Sequence, residues 1–551
     1  MASGRVLAAA VCIAALAISG CGGPPGKRQI EATRGVVLIT LGNVGAAHLG
    51  VYGSTRPTSP FFDRLAARGV LFERAISPSP STLVSNVSLL SGLYPAQHGV
   101  RSPSHALSPR IETLPERFSS YGYRTGGFTE GGLVGRHWGF HRGFDEFADP
   151  PGDGDGDRDR AAERTFGRGL DFLRALAPGD RFFLYLHTAS AAAPYDAPAP
   201  FDRRFSVSTD QETAFAASPA DLRAIDRGFL APPAAAGRLA AAYDAGIAYL
   251  DGVLESFFAE LDRLGLTAET TVVVTSDHGE EFLQHGRLGH FQVYPEVIHV
   301  PLLVLHPHLA GGRRVADLVQ LVDVAPTLYE LADLPPADRA GGHGLVRLLT
   351  GGTRDSSWAY AEIAAGRHQR TLLQRSHGAT HQLVSTAVAR ERDGTWVTRA
   401  AGLELATGDE LSAVAYHRPR ALRLRLDGEE LAPITLGTRW TPLDIVLPPG
   451  RARYRLELEA DSCDSPRALG RARDPRCLSF KLRGAEVRLL ELFDLDADPT
   501  ARRDIAAEAL PFRDELAVRL ERLEWSIVEP PANRPKTEDV AETLRRLGYL
   551  D

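Results

Sequence analysis

Asp277 and His278 stand side by side at the end of the apolar run "TTVVVTSDHG", Thr270 to Gly279. A carboxylate next to an imidazole is a pair that holds a metal ion or moves a proton. Two other apolar runs end on residues of interest: "GVVLITL" (Gly35 to Leu41) leads into Gly42 and Asn43, and "RFFLYLH" (Arg181 to His187) ends on His187. The first of these carries an absence, because "LITLGNVGAAHLGVYG", Leu38 to Gly53, contains no carboxylate. The Gly- and Asp-rich residues 151–165 alternate Asp as a calcium loop does. They lack the bidentate Glu of an EF-hand, so they read as a solvated surface loop.

The three runs have strand length and β-branched content, as strands buried on both faces of a parallel sheet do. Helices alternate with them. Ser59 is placed to cap a helix with Pro60 in its first turn; Phe62, Leu65 and Ala66 share a face, and Gly69 ends it. Ala240 to Leu264 and Val324 to Ala332 read as further helices. This alternation predicts a doubly wound, mostly parallel α/β sheet, in which ligands gather beyond the carboxyl ends of the strands. Gly42-Asn43, His187 and Asp277-His278 all fall at such ends.

With 551 residues and a formal net charge of -7, the chain has ample core for more than one domain. It has no basic patch suited to nucleic acid. Past about Ser385 the pattern changes. "ALRLRLDGEEL" alternates Leu422, Leu424 and Leu426 with arginines, and "RYRLELEA" alternates Tyr454, Leu456 and Leu458 with charged residues. Residues 386–485 thus predict an inserted, β-sandwich-like module. "VRLLELFDLDADP" adds a strand and turn, and Phe512 to Ile527 an amphipathic helix.

At the amino terminus, Arg5 precedes the apolar run Val6 to Ile18, which has the length of a secretory signal and is too short for a mature span. "ISGC" resembles a bacterial lipoprotein cleavage box. That resemblance implies removal of residues 1–20, a diacylated Cys21, a tether over 21–34, and a cell-envelope location facing the extracytoplasmic side. A soluble secreted protein cleaved elsewhere is the other reading. With Cys12 removed and Cys21 lipidated, Cys463 and Cys477 are the remaining pair, and a short-loop disulfide is expected in that oxidising compartment.

Several segments occur in order from residue 35 to the end: "VVLITLGNVGAAHLGVYG", "TSPFFDRLAARGVLFERAISPSPST", "SNVSLLSGLYPAQHGV", "VVVTSDHGEEFLQHGRLGH", "LVDVAPTLYELADLP" and "ELFDLDADPTARRDIA". Together they resemble the sulfatase family of the alkaline phosphatase superfamily, in its bacterial lipoprotein branch. The resemblance implies a sulfatase-like domain over 35–385 that resumes over 486–551, around the insertion.

The family's chemistry needs a divalent cation held by carboxylates, a nucleophile at a helix N-terminus, and donors around the sulfate or phosphate oxygens. By resemblance, Asp277 and His278 match one pair of metal ligands, with Asn43 as a weak third. Gly42 stands where the acidic residue is expected, and Ala47 replaces a nearby Asp. Calcium prefers about six or more oxygen ligands and zinc about three or four protein ligands. A calcium or zinc ion therefore remains one expectation, and strand-end packing of Asp277 and His278 the other. Thr82 falls at the nucleophile position. The Pro and Arg of the formylglycine motif are absent, so no formylglycine is expected. Thr82 reads either as a direct nucleophile or as a helix cap. His187 and His290 are candidate catalytic residues, and Asn86 and His285 candidate members of an anion pocket.

Two functions follow from this reading. One is a membrane-tethered hydrolase or transferase of sulfate or phosphate esters, on a small molecule or glycan, with a reduced metal site. The other is a catalytically silent relative that binds an anionic glycan or a partner protein.

Overall fold

The computed structural model describes residues 30–149, 160–205, 233–337 and 341–354, and from there to residue 521 chiefly the strands and the helix named below. Cys21, Cys463, Cys477 and the signal-like segment lie outside the described residues, as does most of 151–165. Among the described residues no helix is long and apolar enough to cross a membrane.

The Gly35–Leu41 strand sits inside an eight-stranded sheet because its side chains have two cores to fill. Val36 and Leu38 enter one, while Val37, Ile39 and Leu41 enter the other. This period-2 split of a continuous apolar run is the mark of a strand covered on both faces. Across the sheet the order is Arg313–Gln320, Val70–Ile76, His299–Leu305, Thr270–Thr275, Gly35–Leu41, Phe182–Thr188, Arg124–Thr129 and Glu146–Ala148. Only His299–Leu305 runs antiparallel to its neighbours. The first core takes the Thr82–Ser91, Leu114–Ser120 and Val324–Leu331 helices; the second takes Pro60–Ala66, Ala161–Arg174 and the long Pro233–Arg263 helix. This is the mostly parallel α/β architecture expected from the sequence.

Local details differ. Ser59 stands at the N-cap of the Pro60–Ala66 helix, but its side chain does not cap it. Its hydroxyl accepts from the Gly50 amide and donates to Asp63, and Asp251 of the long helix accepts from the amides of Phe61 and Phe62, each at 2.8 Å. A carboxylate delivered from another helix satisfies the orphan donors and pins the two helices together. The long helix begins at Pro233, seven residues before the expected start, since proline suits a first turn. The C-terminal helix spans Leu510–Glu521.

A second, antiparallel sheet is ordered Ser356–Ile363, His368–Ser376, Ala379–Val388, Glu486–Asp494, Ala400–Ala406, Arg453–Ala460, Arg420–Leu426 and Glu429–Leu436. A four-stranded sheet containing Ser412–Ala415 faces its far half. Ala413 and Ala415 pack with Leu422, Leu424, Leu456 and Leu458 there. The module is sandwich-like, but one of its layers continues the sheet of the C-terminal subdomain. Gly402 to Glu404 pair with Glu486 to Arg488, so an edge that would expose unpaired N–H groups is covered. The strand Glu429–Leu436 is left at the end of this sheet, mostly exposed, with Pro433 within it.

His98 joins the Pro95–His98 helix to the helix that begins at Thr82. It is fully buried; its Nδ1 accepts from the Val100 amide, so Nε2 donates to Ser88 Oγ at 3.0 Å. Burial, aided by Arg101, holds its pKa down at about 3. The unfolded chain then binds more protons than the folded one between about pH 6.5 and 3, so this contribution is full above pH 6.5 and is lost as pH falls. In urea titrations at pH 7.5 and pH 5, His98→Asn should be the less stable protein at pH 7.5. The gap to the unmodified chain should close by about 1.4 kcal/mol per pH unit below 6.5. A gap that stays constant with pH would refute a neutral buried imidazole.

Candidate active site

Three strand ends meet as the sequence requires. The Gly35, Phe182 and Thr270 strands are adjacent and parallel, so Gly42-Asn43, His187 and Asp277-His278 emerge at one edge. Asn43 takes a left-handed backbone, φ 62°, which turns its own amide toward the neighbouring strand end. There it donates to Asp277 Oδ1 at 2.9 Å, and the His278 amide donates to the same oxygen at 2.8 Å. Asn86 Nδ2 reaches Asp277 Oδ2 at 3.2 Å and the Thr82 carbonyl at 2.8 Å, while Tyr185 donates to Asn86 Oδ1. His187 Nε2 lies 3.9 Å from Asp277 Oδ2. Burial alone would raise the pKa of Asp277, but His278, His187 and the Asn43 amide outweigh it and hold the carboxyl well below the usual range.

Thr82 is the first residue of its helix, and Ser81 stands at the N-cap without a side-chain capping bond. The Thr82 hydroxyl instead lies 3.0 Å from His278 Nε2. His278 Nδ1 faces the carbonyl of Gly279 at 3.0 Å. A carbonyl only accepts, so Nδ1 carries the proton and Nε2 is left to accept from Thr82. Burial lowers the pKa of His278 against the pull of Asp277, which suits a neutral base. Thr82 is only half-buried, whereas Asp277 and His278 are fully buried.

Glu280 was not singled out by the sequence, although it lies two residues after His278 in "SDHGE". Its Oε1 accepts from Asn43 Nδ2 at 2.7 Å and faces His290 Nδ1 at 3.1 Å. Burial works against protonation of His290, but Glu280 outweighs it and raises the pKa above that of an ordinary histidine. His285 lies apart from this group. It stacks on Tyr294 with ring centroids 3.7 Å apart, and its Nε2 faces the Thr500 carbonyl at 3.0 Å.

Two positioning groups were also invisible in sequence. Tyr243, on the long helix, donates to the Asn43 carbonyl at 2.5 Å and accepts from the Gly45 amide at 2.9 Å, clamping the left-handed turn. Ser276 accepts from the Val44 amide and donates to the His278 carbonyl. Nothing local in the sequence marks a tyrosine about 200 residues away as a partner of this turn.

The residues present do not fit a carboxylate-held dication. Asp277 already receives N–H donors on both oxygens, and Asn43 presents donors where a cation needs lone pairs. Gly42 donates to the Thr188 carbonyl at 2.6 Å, and a Cβ added to it would lie 2.4 Å from that oxygen. Backbone therefore occupies the space an aspartate at position 42 would need. Among the described residues no three His, Cys, Asp or Glu side chains are grouped to hold a metal.

A cleft opens next to the start of the Thr82 helix, lined by Ser79, Ser81, Val84, His290, Phe291, Arg101 and Glu362. Residues 34–334, more than half of the chain, match the sulfatase family model, and the chain belongs to the sulfatase family. Arylsulfatase K of Xenopus laevis is 32% identical over 130 residues, 22% of this chain and 24% of that protein. The Homo sapiens arylsulfatase K is 27% identical over 185 residues, 32% and 33% of the two chains. These matches span only a quarter to a third of the curated relatives' length.

Among solved structures, the phosphonate monoester hydrolase of Agrobacterium radiobacter superposes with a TM-score of 0.58 at 17% identity, covering 88% of this chain and 94% of that one. BT4656, solved with its substrate D-glucosamine-2-N,6-O-disulfate, gives 0.56 at 15% identity over 95% and 99%. At such identities the likeness is one of fold.

Tyr243→Phe removes the group that satisfies the buried Asn43 carbonyl and Gly45 amide. It should lower unfolding free energy by about 1–3 kcal/mol. Denaturant midpoints equal to those of the unmodified protein would mean that the turn holds itself.

Proposed function

We propose that this protein is a hydrolase of sulfate or phosphate esters in which Thr82 is the nucleophile and His278 its base. The observation that carries the reading is the Thr82 Oγ1–His278 Nε2 contact with His278 Nδ1 fixed on a carbonyl. Thr82 attacks the ester sulfur or phosphorus, and its proton passes to His278 Nε2. The ester C–O oxygen leaves and takes a proton from His290, which Glu280 holds in place. Water then attacks the threonine ester and gives a proton to His290, and Thr82 departs with the proton stored on His278. Amides at the start of the Thr82–Ser91 helix and the His290 imidazolium share the charge that a dication carries in the family pattern. No step here runs through a metal.

A second reading is favoured by one observation, the closure of backbone over Gly42. Without a cation-binding carboxylate, the cleft would hold an anionic glycan or a partner without turning it over. Sulfated glycan is the ligand class in both readings, in keeping with the substrate named for the structural neighbour BT4656.

Hydrolysis of p-nitrophenyl sulfate and p-nitrophenyl phosphate should survive exhaustive chelation. Thr82→Ala and His278→Gln should each lower kcat/KM by about a hundredfold or more. Activity that persists in Thr82→Ala would remove the threonine from the mechanism, and absence of turnover with retained ester binding would establish the silent reading.

We also propose that the chain is anchored through Cys21 to the outer face of a bacterial membrane, on the strength of the "ISGC" box after Val6 to Ile18. Metabolic palmitate labelling should be present in the native protein and absent from Cys21→Ser. Equal labelling of both would disprove the anchor site.

A further inference from the structure

The cleft lined by Ser81, Val84 and His290 also carries a charge arrangement that the hydrolytic reading does not use. Glu362, at the end of the Ser356–Ile363 strand, is only 3% exposed and lines the cleft. A buried carboxylate requires compensation: Tyr360 Oη donates to Glu362 Oε2 at 2.7 Å, and Arg101 Nε lies 3.0 Å from Oε1 as an ion pair. Arg101 follows the "QHGV" turn and is 40% exposed. It pairs with Glu362 through Nε, and its partly exposed side chain lines the cleft. Around it the lining is apolar: Pro80, Val84, Pro95, Pro103, Phe291 and Ile363. Arginine and His290 are the cationic side chains of that lining.

We infer that Arg101 binds a second anionic group, a carboxylate or sulfate, on the same molecule whose ester is presented to Thr82. The chemistry follows from the residues. A guanidinium matches a carboxylate or sulfate through paired N–H donors, which a lysine cannot do. Glu362 holds the fork in place, so less side-chain freedom is lost when the anion docks. Phe291 and the prolines give a ring-shaped ligand an apolar wall. The substrate class that fits is an acidic sugar carrying the ester at one position and another negative charge about one residue away. This inference rests on the ester-binding reading above, and the experiment separates the two.

Calorimetric titration of the intact protein with three disaccharides tests it. All three carry one sulfate ester; their second group is a uronate carboxylate, a second sulfate, or a hydroxyl. The unmodified protein should bind at least one dianionic probe about tenfold more tightly than the hydroxyl probe, and whichever does so identifies the anion. Arg101→Gln should bring that probe to the hydroxyl level while changing the hydroxyl probe less than twofold. Glu362→Gln should keep or increase the preference, which also guards against a variant that weakens everything through misfolding. Equal binding of all three probes, a preference that survives Arg101→Gln, or an equal loss for all three in that variant overturns the assignment but leaves ester binding standing. Failure of every probe to bind the unmodified protein overturns both.

Discussion

The bond from the Asn43 amide to Asp277 Oδ1 holds the ends of two adjacent central strands at the depth where the site lies. A fully buried carboxylate is costly unless donors surround it, and this one obtains donors from three separate parts of the chain. Each donor then becomes fixed in turn. Asn43 must adopt its left-handed turn, Tyr243 must clamp that turn, and Asn86 must brace the first turn of the helix that presents Thr82. His278 is carried along because it follows Asp277 in sequence. The threonine–histidine contact thus depends on a carboxylate whose Oδ2 lies 3.8 Å from His278 Nε2.

The same arrangement governs the turn at Gly42 and Asn43. At Gly42 the Thr188 carbonyl occupies the room a side chain would fill, and strand-end hydrogen bonding continues through it. Asn43, with donors on both its backbone and its side chain, serves Asp277 and Glu280 together. The scaffold is stabilised by neutral donors in a region that the family pattern stabilises by ion coordination.

Much of this was legible in the residues. Uninterrupted β-branched runs identified the central strands, and the rule that ligands gather at strand ends brought Asn43, His187, Asp277 and His278 together correctly. What the sequence could not convey was partnership at long range. Asp251 caps a helix about 190 residues away, and Tyr243 clamps a turn 200 residues away, through contacts that leave no local periodicity. Ser59 carries the right side chain for a cap, yet a better-placed carboxylate takes the role. His285 fits the family order but is drawn off by the flat face of Tyr294, a competition of packing that spacing alone does not register.

The exposed strand Glu429–Leu436 has a consequence for how the molecule behaves when crowded. It ends an eight-stranded antiparallel sheet, and such an edge is a template on which another chain can add a strand. Pro433 interrupts that template, since it offers no N–H for a visiting strand, and the exposed Glu429 and Glu430 add repulsion toward a like edge. The long sheet thus ends on a strand poorly suited to recruit another chain. Three residues far from the Thr82 cleft thus set which neighbours this edge can accept.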